Sequence, residues 1–440
     1  MALFSVEVPL RHQVDVFVAG GGPAGVAAAV AAARHGRSVF LAEGQACFGG
    51  MGTSGLVPVF MPFGNGVDFL AGGIGREVHD AMDAYAQSRP DDPVRPPLIR
   101  AEVLKRIYDD MVVASGAQFT FHTHMIAVEC EAGEVRRVIC WGKSGLFAVE
   151  AAVYVDATGD GDLAAWAGAP FEKGDEQGRM MPGTLCSLWA DVDWEAVNKA
   201  RAHGHRDDEA LPAAIAEGRF TIPDRHLPGM WRCGVHVGGG NIGHTFGVDG
   251  TDERSLTQAL LWGRKLVLEY ESYYKEYLKG FEHMELVATG ALLGLRETRR
   301  IMGDYVLCLD DFRNRAVFED EIGRYSYPVD IHSPTPDEQA QKKALDEFVT
   351  LRYKRGESYG IPYRCLIPRG LRNVLVSGRC ISSDRYMQGS VRVMPGCFIT
   401  GQAAGIAAAL AAENGTDTRG VDVAELQGRL KAMGAFLPNA

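Results

Sequence analysis

One segment constrains this chain more than any other. The run Val14-Asp15-Val16-Phe17-Val18-Ala19 leads straight into Gly20-Gly21-Gly22-Pro23-Ala24-Gly25, and then into an alanine-rich stretch ending near His35. The first run reads as a buried parallel strand, the alanine stretch as a helix stopped by Gly36, and residues 38–43 as a second strand. In such a β-α-β unit the glycines have separate tasks. Gly20 permits the tight turn, Gly22 lets a pyrophosphate approach the backbone, and Gly25 lets the helix lie close to the strand. The N-terminus of the helix that follows offers free N–H groups and a dipole that favour phosphate charge. Glu43 follows Gly20 by 23 residues, at the end of the second strand. An acid there accepts hydrogen bonds from ribose hydroxyls. The unit predicts a dinucleotide site. The run from Gly238 to Gly243 repeats the glycine spacing. A loop follows it rather than a helix, and no acid-ended strand comes after, so one such site is expected and not two.

The 440 residues exceed a single ordinary core, since cores stop growing near roughly 250–300 residues. The expected fold class is α/β. A Rossmann-like domain is formed by residues 1–170 and 361–415, with an inserted α+β substrate or cap domain at 171–360. Residues 416–440 read as a C-terminal surface helix. Amphipathic helices are expected near 101–114, 254–279 and 337–355. Strands are expected at 117–129, 134–140, 146–155, 328–332 and 373–377. A helix of small residues is expected from Pro395, at its first position, to Ala412. The net charge of −11 argues against a basic nucleic-acid-binding face and against attraction to anionic membranes. No apolar run is expected to approach the roughly 18 residues of a spanning helix. The N-terminus lacks the order of a signal peptide. Nine cysteines, an odd number with no C-x-x-C pair, read as core residues of a reducing compartment. The expectation is a cytoplasmic protein with no metal site.

Further motifs follow in order: Gly49-Gly50-Met51-Gly52-Thr53-Ser54-Gly55, Asp156-Ala157-Thr158-Gly159-Asp160, Gly294-Leu295-Arg296-Glu297-Thr298-Arg299-Arg300, Ile361-Pro362-Tyr363-Arg364, and Gly378-Arg379-Cys380 through Arg392-Val393-Met394-Pro395-Gly396-Cys397 to Gly405. Carried by these, residues 14–412 resemble the FAD-dependent oxidoreductases of the glutathione-reductase-like group, in the branch related to fumarate reductase and succinate dehydrogenase flavoproteins. The resemblance implies FAD, with hydride transfer between flavin N5 and a small polar substrate, anionic or sugar-like. It implies FAD contacts from Gly20, Gly22, Pro23, Ala24, Gly25, Glu43, Gly49, Gly50, Met51, Thr53, Ser54, Met125, Thr158, Gly159, Asp160, Arg392, Met394 and Gly396. Some relatives in this branch use a histidine for covalent flavin attachment. Residues 44–60 contain none, so non-covalent FAD is expected, with Cys47 as the alternative anchor. The N–H groups of the helix near Pro395 suit flavin N1 and C2=O, where negative charge gathers on reduction.

Catalytic candidates rest on residue chemistry. His244 follows the glycine-rich loop and His332 closes the 328–332 segment. Either can take a hydroxyl proton during hydride transfer, and either can equally be a hydrogen-bonded structural histidine. Arg296, Arg299 and Arg300 have helical i, i+3, i+4 spacing. They form either a substrate-carboxylate clamp or an ion-pair network with Glu297 and Asp304. Arg364, Arg379, Arg385 and Arg392 are candidates to hold an anionic substrate or flavin O2. The set expected to meet the substrate is Arg296, Arg300 and Arg392 with His244 or His332. Tyr270, Tyr273, Tyr274 and Tyr277 read as core. Three alternatives stand beside this reading: a fumarate-reductase-like reductase of activated alkenes, an NAD-dependent dehydrogenase, and a non-catalytic flavoprotein subunit. With one nucleotide site, the electron acceptor is expected to be dioxygen, a quinone or a separate protein. A homo-oligomer is compatible with all of these readings.

Overall fold

The β-α-β unit sets the order of the main sheet. In the computed structural model, which describes residues 5–440, Leu10–Ala19 lies inside a seven-stranded sheet. It runs parallel to Val39–Ala42 on one side and Gly145–Asp156 on the other. Gln118–Thr120 extends the sheet beyond Val39–Ala42. Val374–Val376 returns from the far end of the chain to pair in parallel with Gly145–Asp156. An antiparallel hairpin, His124–Glu131 and Glu134–Gly142, completes it. Ala19 lies opposite both Ala42 and Asp156, and Asp156 lies opposite Val376. The turns after four strands therefore open on one edge, the place where open α/β sheets bind ligands.

Two helices rich in alanine and glycine press against each other beside this sheet. Pro23–Arg34 packs on Met394–Asn414. A Cβ on Gly401 or Gly405 would stand 2.3 or 2.2 Å from the carbonyl oxygens of Ala24 and Ala28. Only glycine admits that approach. Met394–Asn414 corrects one expectation, because it is long and apolar enough to cross a membrane. It is buried within the fold, so packing accounts for its apolarity. Its N-cap is Val393, so Pro395 is the second helical residue and not the first.

A second layer is a four-stranded antiparallel sheet of Ser187–Ala190, Gly229–Arg232, Gly238–Asn241 and Glu285–Thr289. It shares a separate hydrophobic cluster with the helices Trp194–Ala202, Leu211–Ala216 and Glu253–Tyr277. Trp189, Tyr270, Tyr273 and Tyr274 are fully buried there. The second glycine run is a strand of this sheet. A Cβ on Gly239 would stand 2.5 Å from Pro58, and one on Gly238 2.5 Å from Met230. Those glycines serve close sheet packing rather than a phosphate turn. Further along, Ile301, Leu307, Phe312, Ile322 and Tyr359 join the core of the first sheet.

Three local expectations are corrected. Arg299–Ile301 is a strand paired antiparallel with Phe171–Lys173, so the arginines do not share a helical face. Residues 328–332 carry no strand; Val329 N–H donates to the carbonyl of Leu351 instead. The C-terminal segment is α-helical only at Val423–Ala432, shorter than the surface helix expected over 416–440, and this helix rests on the core through Leu426 and Leu430.

Candidate active site

A cavity of about 930 Å³ opens along the shared strand edge and extends under the second layer. One end is built by backbone. Gly20 has φ +89°, and a Cβ on it would stand 2.8 Å from the Ala157 carbonyl oxygen. Gly25 is tighter still, with 1.8 Å to the Gly20 carbonyl oxygen. Gly22, the N-cap of Pro23–Arg34, faces open space within 4 Å. It is therefore the glycine that leaves room for a ligand. Glu43 is buried, and its carboxylate accepts from Gly21 N–H at 2.5 Å and Gln45 N–H at 2.6 Å. Burial raises its pKa against these bonds. Asp156, fully buried, accepts from the N–H and hydroxyl of Thr158 and from Ala164 N–H, which shapes the next turn. Burial pushes its pKa up to about 6. Arg379 ties that turn down, donating to the carbonyls of Gly159 and Leu295 and to Asp160.

The expected FAD-contacting residues divide into two groups. Gly20, Gly22, Pro23, Ala24, Glu43, Gly50, Met51, Met125, Thr158, Gly159, Asp160, Arg392 and Met394 line the cavity. Gly25, Gly49, Thr53, Ser54 and Gly396 stand behind its wall. Gly25 packs under Gly20. Gly49 has φ +102°, and a Cβ there would meet Thr53 and Tyr108. Thr53 donates to the Phe48 carbonyl, and the Ser54 carbonyl accepts from Ala291 N–H. A Cβ on Gly396 would lie 2.3 Å from the Val391 carbonyl oxygen. These five shape the wall rather than form it.

The other end of the cavity is a cluster of charged and aromatic groups. Nε2 of His244 lies 3.0 Å from Nδ1 of His332, although the residues are 88 positions apart. Behind His244, Nδ1 is 2.9 Å from Asp224 Oδ2. Behind His332, Nε2 is 3.3 Å from Asp330 Oδ1. His226 adds a third ring, stacked on His244 and edge-on to His332. Arg392 donates to the carboxylate and carbonyl of Asp330. Arg296 bonds through Nη1 alone, to the Pro182 carbonyl and the Thr184 hydroxyl, while Gln388 holds its own carbonyl.

Electrostatics follow from this crowding. Burial and Arg296 hold the His332 pKa well below the usual imidazole value. Burial and His244 bring His226 down to about 4, and burial lowers His244 against the pull of Asp224. Burial opposes ionisation of Asp224 and Asp330, but the facing imidazoles, joined at Asp330 by Arg392 and Arg296, overcome it and keep both below the ordinary carboxylate value. Burial and the nearby Arg392 lower Arg296 to about 10.

Of the candidate catalytic residues, His244, His332, Arg296 and Arg392 line this end together. Arg300 does not. It is buried behind the wall, bonded to Glu297 and to the Gly174 carbonyl. Arg299 pairs with Asp162, and Asp304 pairs with Arg419 rather than with Arg300. Arg364 is held by Asp320 away from the cavity. Arg385 stands near Glu297, off the wall. Sequence reasoning missed His226, Asp224 and Asp330. Their one signal is a repeated Asp-x-His, at Asp224-Arg225-His226 and Asp330-Ile331-His332.

A comparison with curated proteins finds no match. Solved structures similar to this chain include a geranylgeranyl bacteriochlorophyll reductase-like protein of Thermoplasma acidophilum, at 12% identity and TM-score 0.45 over 96% of this chain and 84% of that one. Another is p-nitrophenol 4-monooxygenase PnpA of Pseudomonas putida DLL-E4, at 11% identity and TM-score 0.46 over 96% and 89%. A third is OxyS anhydrotetracycline hydroxylase of Streptomyces rimosus, at 15% and 0.42 over 96% and 65%. A family profile described as FAD dependent oxidoreductase matches residues 15–430. The residues of the cavity fit that cofactor: a side-chain-free approach at Gly22, a carboxylate at Glu43, and one continuous space running from the turn to a polar end. On this match the chain belongs to the FAD dependent oxidoreductase family, and FAD is its cofactor.

Proposed function

We propose that this enzyme moves a hydride between flavin N5 and a small polar substrate bound at the histidine–arginine end of the cavity. The observation that carries the reading is one continuous space with the dinucleotide turn at one end and Arg296, Arg392, His244 and His332 gathered at the other. FAD, held without a covalent link, supplies the two-electron chemistry. Gly22, Glu43, Thr158 and Met394 belong to its binding surface. Arg296 and Arg392 hold an anionic or oxygen-rich substrate, since a guanidinium fork fixes such groups in register. The proton that leaves a substrate hydroxyl with the hydride goes into the cluster of His244, His332 and their aspartates, the group that hydrogen-bond reach requires. Dioxygen, a quinone or a separate protein reoxidises the flavin.

Anaerobic mixing with hydroxy acids, sugars, polyols and amines tests this. At least one class should bleach the flavin. Arg296→Lys should slow bleaching by that class by on the order of 10²-fold, because a point charge does not replace the fork. If no donor bleaches the flavin and an activated alkene instead reoxidises the reduced enzyme, the direction is reversed. The relation to fumarate reductase then becomes the better guide, with Arg296 as proton carrier.

A further inference from the structure

We propose that His226, His244 and His332 bind one divalent transition-metal cation of the zinc class at the substrate end of the cavity. The three rings form a nearly equilateral triangle, with centroid separations of 5.1, 4.6 and 5.1 Å. Imidazoles bound to one zinc at about 2.0–2.1 Å place their ring centres about 4.5–5.2 Å apart for cis or tetrahedral angles. One nitrogen from each ring lies within 4.8 Å of the other two. His244 Nε2 and His332 Nδ1, 3.0 Å apart, reach tetrahedral spacing by a shift of a few tenths of an ångström. His226, half-buried with its open side on the cavity, lies with its ring plane 8° from that of His244, so it must turn its ring as well as shift before its nitrogen meets the same cation.

The groups behind the rings point the same way. Metal-binding imidazoles usually turn their second nitrogen to a carboxylate, which sets the tautomer and the ring direction. Asp224 stands behind His244 and Asp330 behind His332. If each ring keeps its proton on the carboxylate side, two lone pairs face each other, and a cation must lie between them. A shared proton would satisfy two rings and leave the third without a part. A metal uses all three and leaves a fourth position open to the cavity, the arrangement of a catalytic rather than a structural site. The charges allow it. Two aspartates balance Arg296 and Arg392, so an added cation leaves a positive end suited to an oxygen or carboxylate ligand. A bound cation takes the lone pairs of His244 and His332, so a substrate hydroxyl then binds it as the alkoxide and its proton leaves to solvent rather than to the rings; that use rests on the proposed reaction, and the binding of the cation does not.

The test is equilibrium dialysis of the FAD-loaded protein, stripped with a chelator, against zinc chloride, with elemental analysis. One saturable zinc per chain is expected. His244→Asn and His226→Asn should each weaken binding by about 100-fold or more, and Asp330→Asn by about 10–100-fold, in protein that keeps its flavin spectrum. No saturable uptake, or equal uptake by both histidine variants, overturns the proposal. Should either variant lose its flavin, zinc-edge X-ray absorption of the wild-type protein decides instead. Three imidazole nitrogens at about 2.0–2.1 Å support the site, and a shell of sulfur or of oxygen alone refutes it. Neither measurement involves turnover, so flavin bleaching and zinc uptake fail independently.

Discussion

Gly22 and Gly25 sit three residues apart and act on different things. A methyl at position 22 meets nothing in the protein within 4 Å, whereas one at position 25 would lie 1.8 Å from the Gly20 carbonyl oxygen. Gly22→Ala should therefore leave the melting temperature of the stripped protein unchanged and weaken FAD binding by about tenfold or more, because the methyl occupies the approach of the pyrophosphate. Gly25→Ala should destabilise the stripped protein by about 1–3 kcal/mol or more through overpacking. Thermal melts and fluorescence titration with FAD separate the two, and a reversed pattern would show that the roles are exchanged. At this scale the dinucleotide end was legible, because the tasks of Gly20, Gly22 and Gly25 are set by backbone within a few residues. His226 was not, because its loop has no fixed spacing to His244 or His332.

Helix Met394–Asn414 shows what an element can carry beyond its own sequence pattern. Gly405 faces Ala28 across the contact with Pro23–Arg34, and its added Cβ would stand 2.2 Å from the Ala28 carbonyl oxygen. Alanine favours a helix over glycine by roughly 1 kcal/mol. The clash outweighs that gain, so Gly405→Ala should lower stability by about 1–3 kcal/mol in thermal or urea unfolding. A rise in stability would mean that the helices stand farther apart. So many glycines and alanines on one helix mark it for close packing, and the partner they meet is the helix Pro23–Arg34. The arginines at 296–300 foretold wrongly. Three charges at helical spacing are too short a signal, and pairing with Phe171–Lys173, remote in sequence, made a strand of Arg299–Ile301.

For the whole molecule, the expected form is a yellow protein with one FAD per chain, released into the supernatant on acid precipitation. Cys47 is the residue that would anchor the flavin instead, but its Sγ contacts the Ser54 hydroxyl at 3.3 Å and lies off the cavity wall. Colour retained in the pellet would point to a covalent link at Cys47. A colourless protein would contradict the family's cofactor. Asn241, Leu256 and Leu260 of the second layer line the same cavity as Gly22 and Thr158 of the first sheet's edge.

By itself, the order of residues determined the β-α-β unit, the single dinucleotide turn, the acid at Glu43 and the return of the chain to the first sheet near Val374. Each depends on backbone geometry or on periodicity over a few neighbouring residues, which a linear pattern records. Only the tertiary structure decided the chemistry at the far end. It brought His226, His244 and His332 together with Asp224 and Asp330 from three separate segments, and it turned Arg296 and Arg392 toward them while burying Arg300 behind Glu297. The physical reason is that side chains far apart in the chain meet through the packing of whole layers, and that packing depends on every residue in both cores rather than on those that meet.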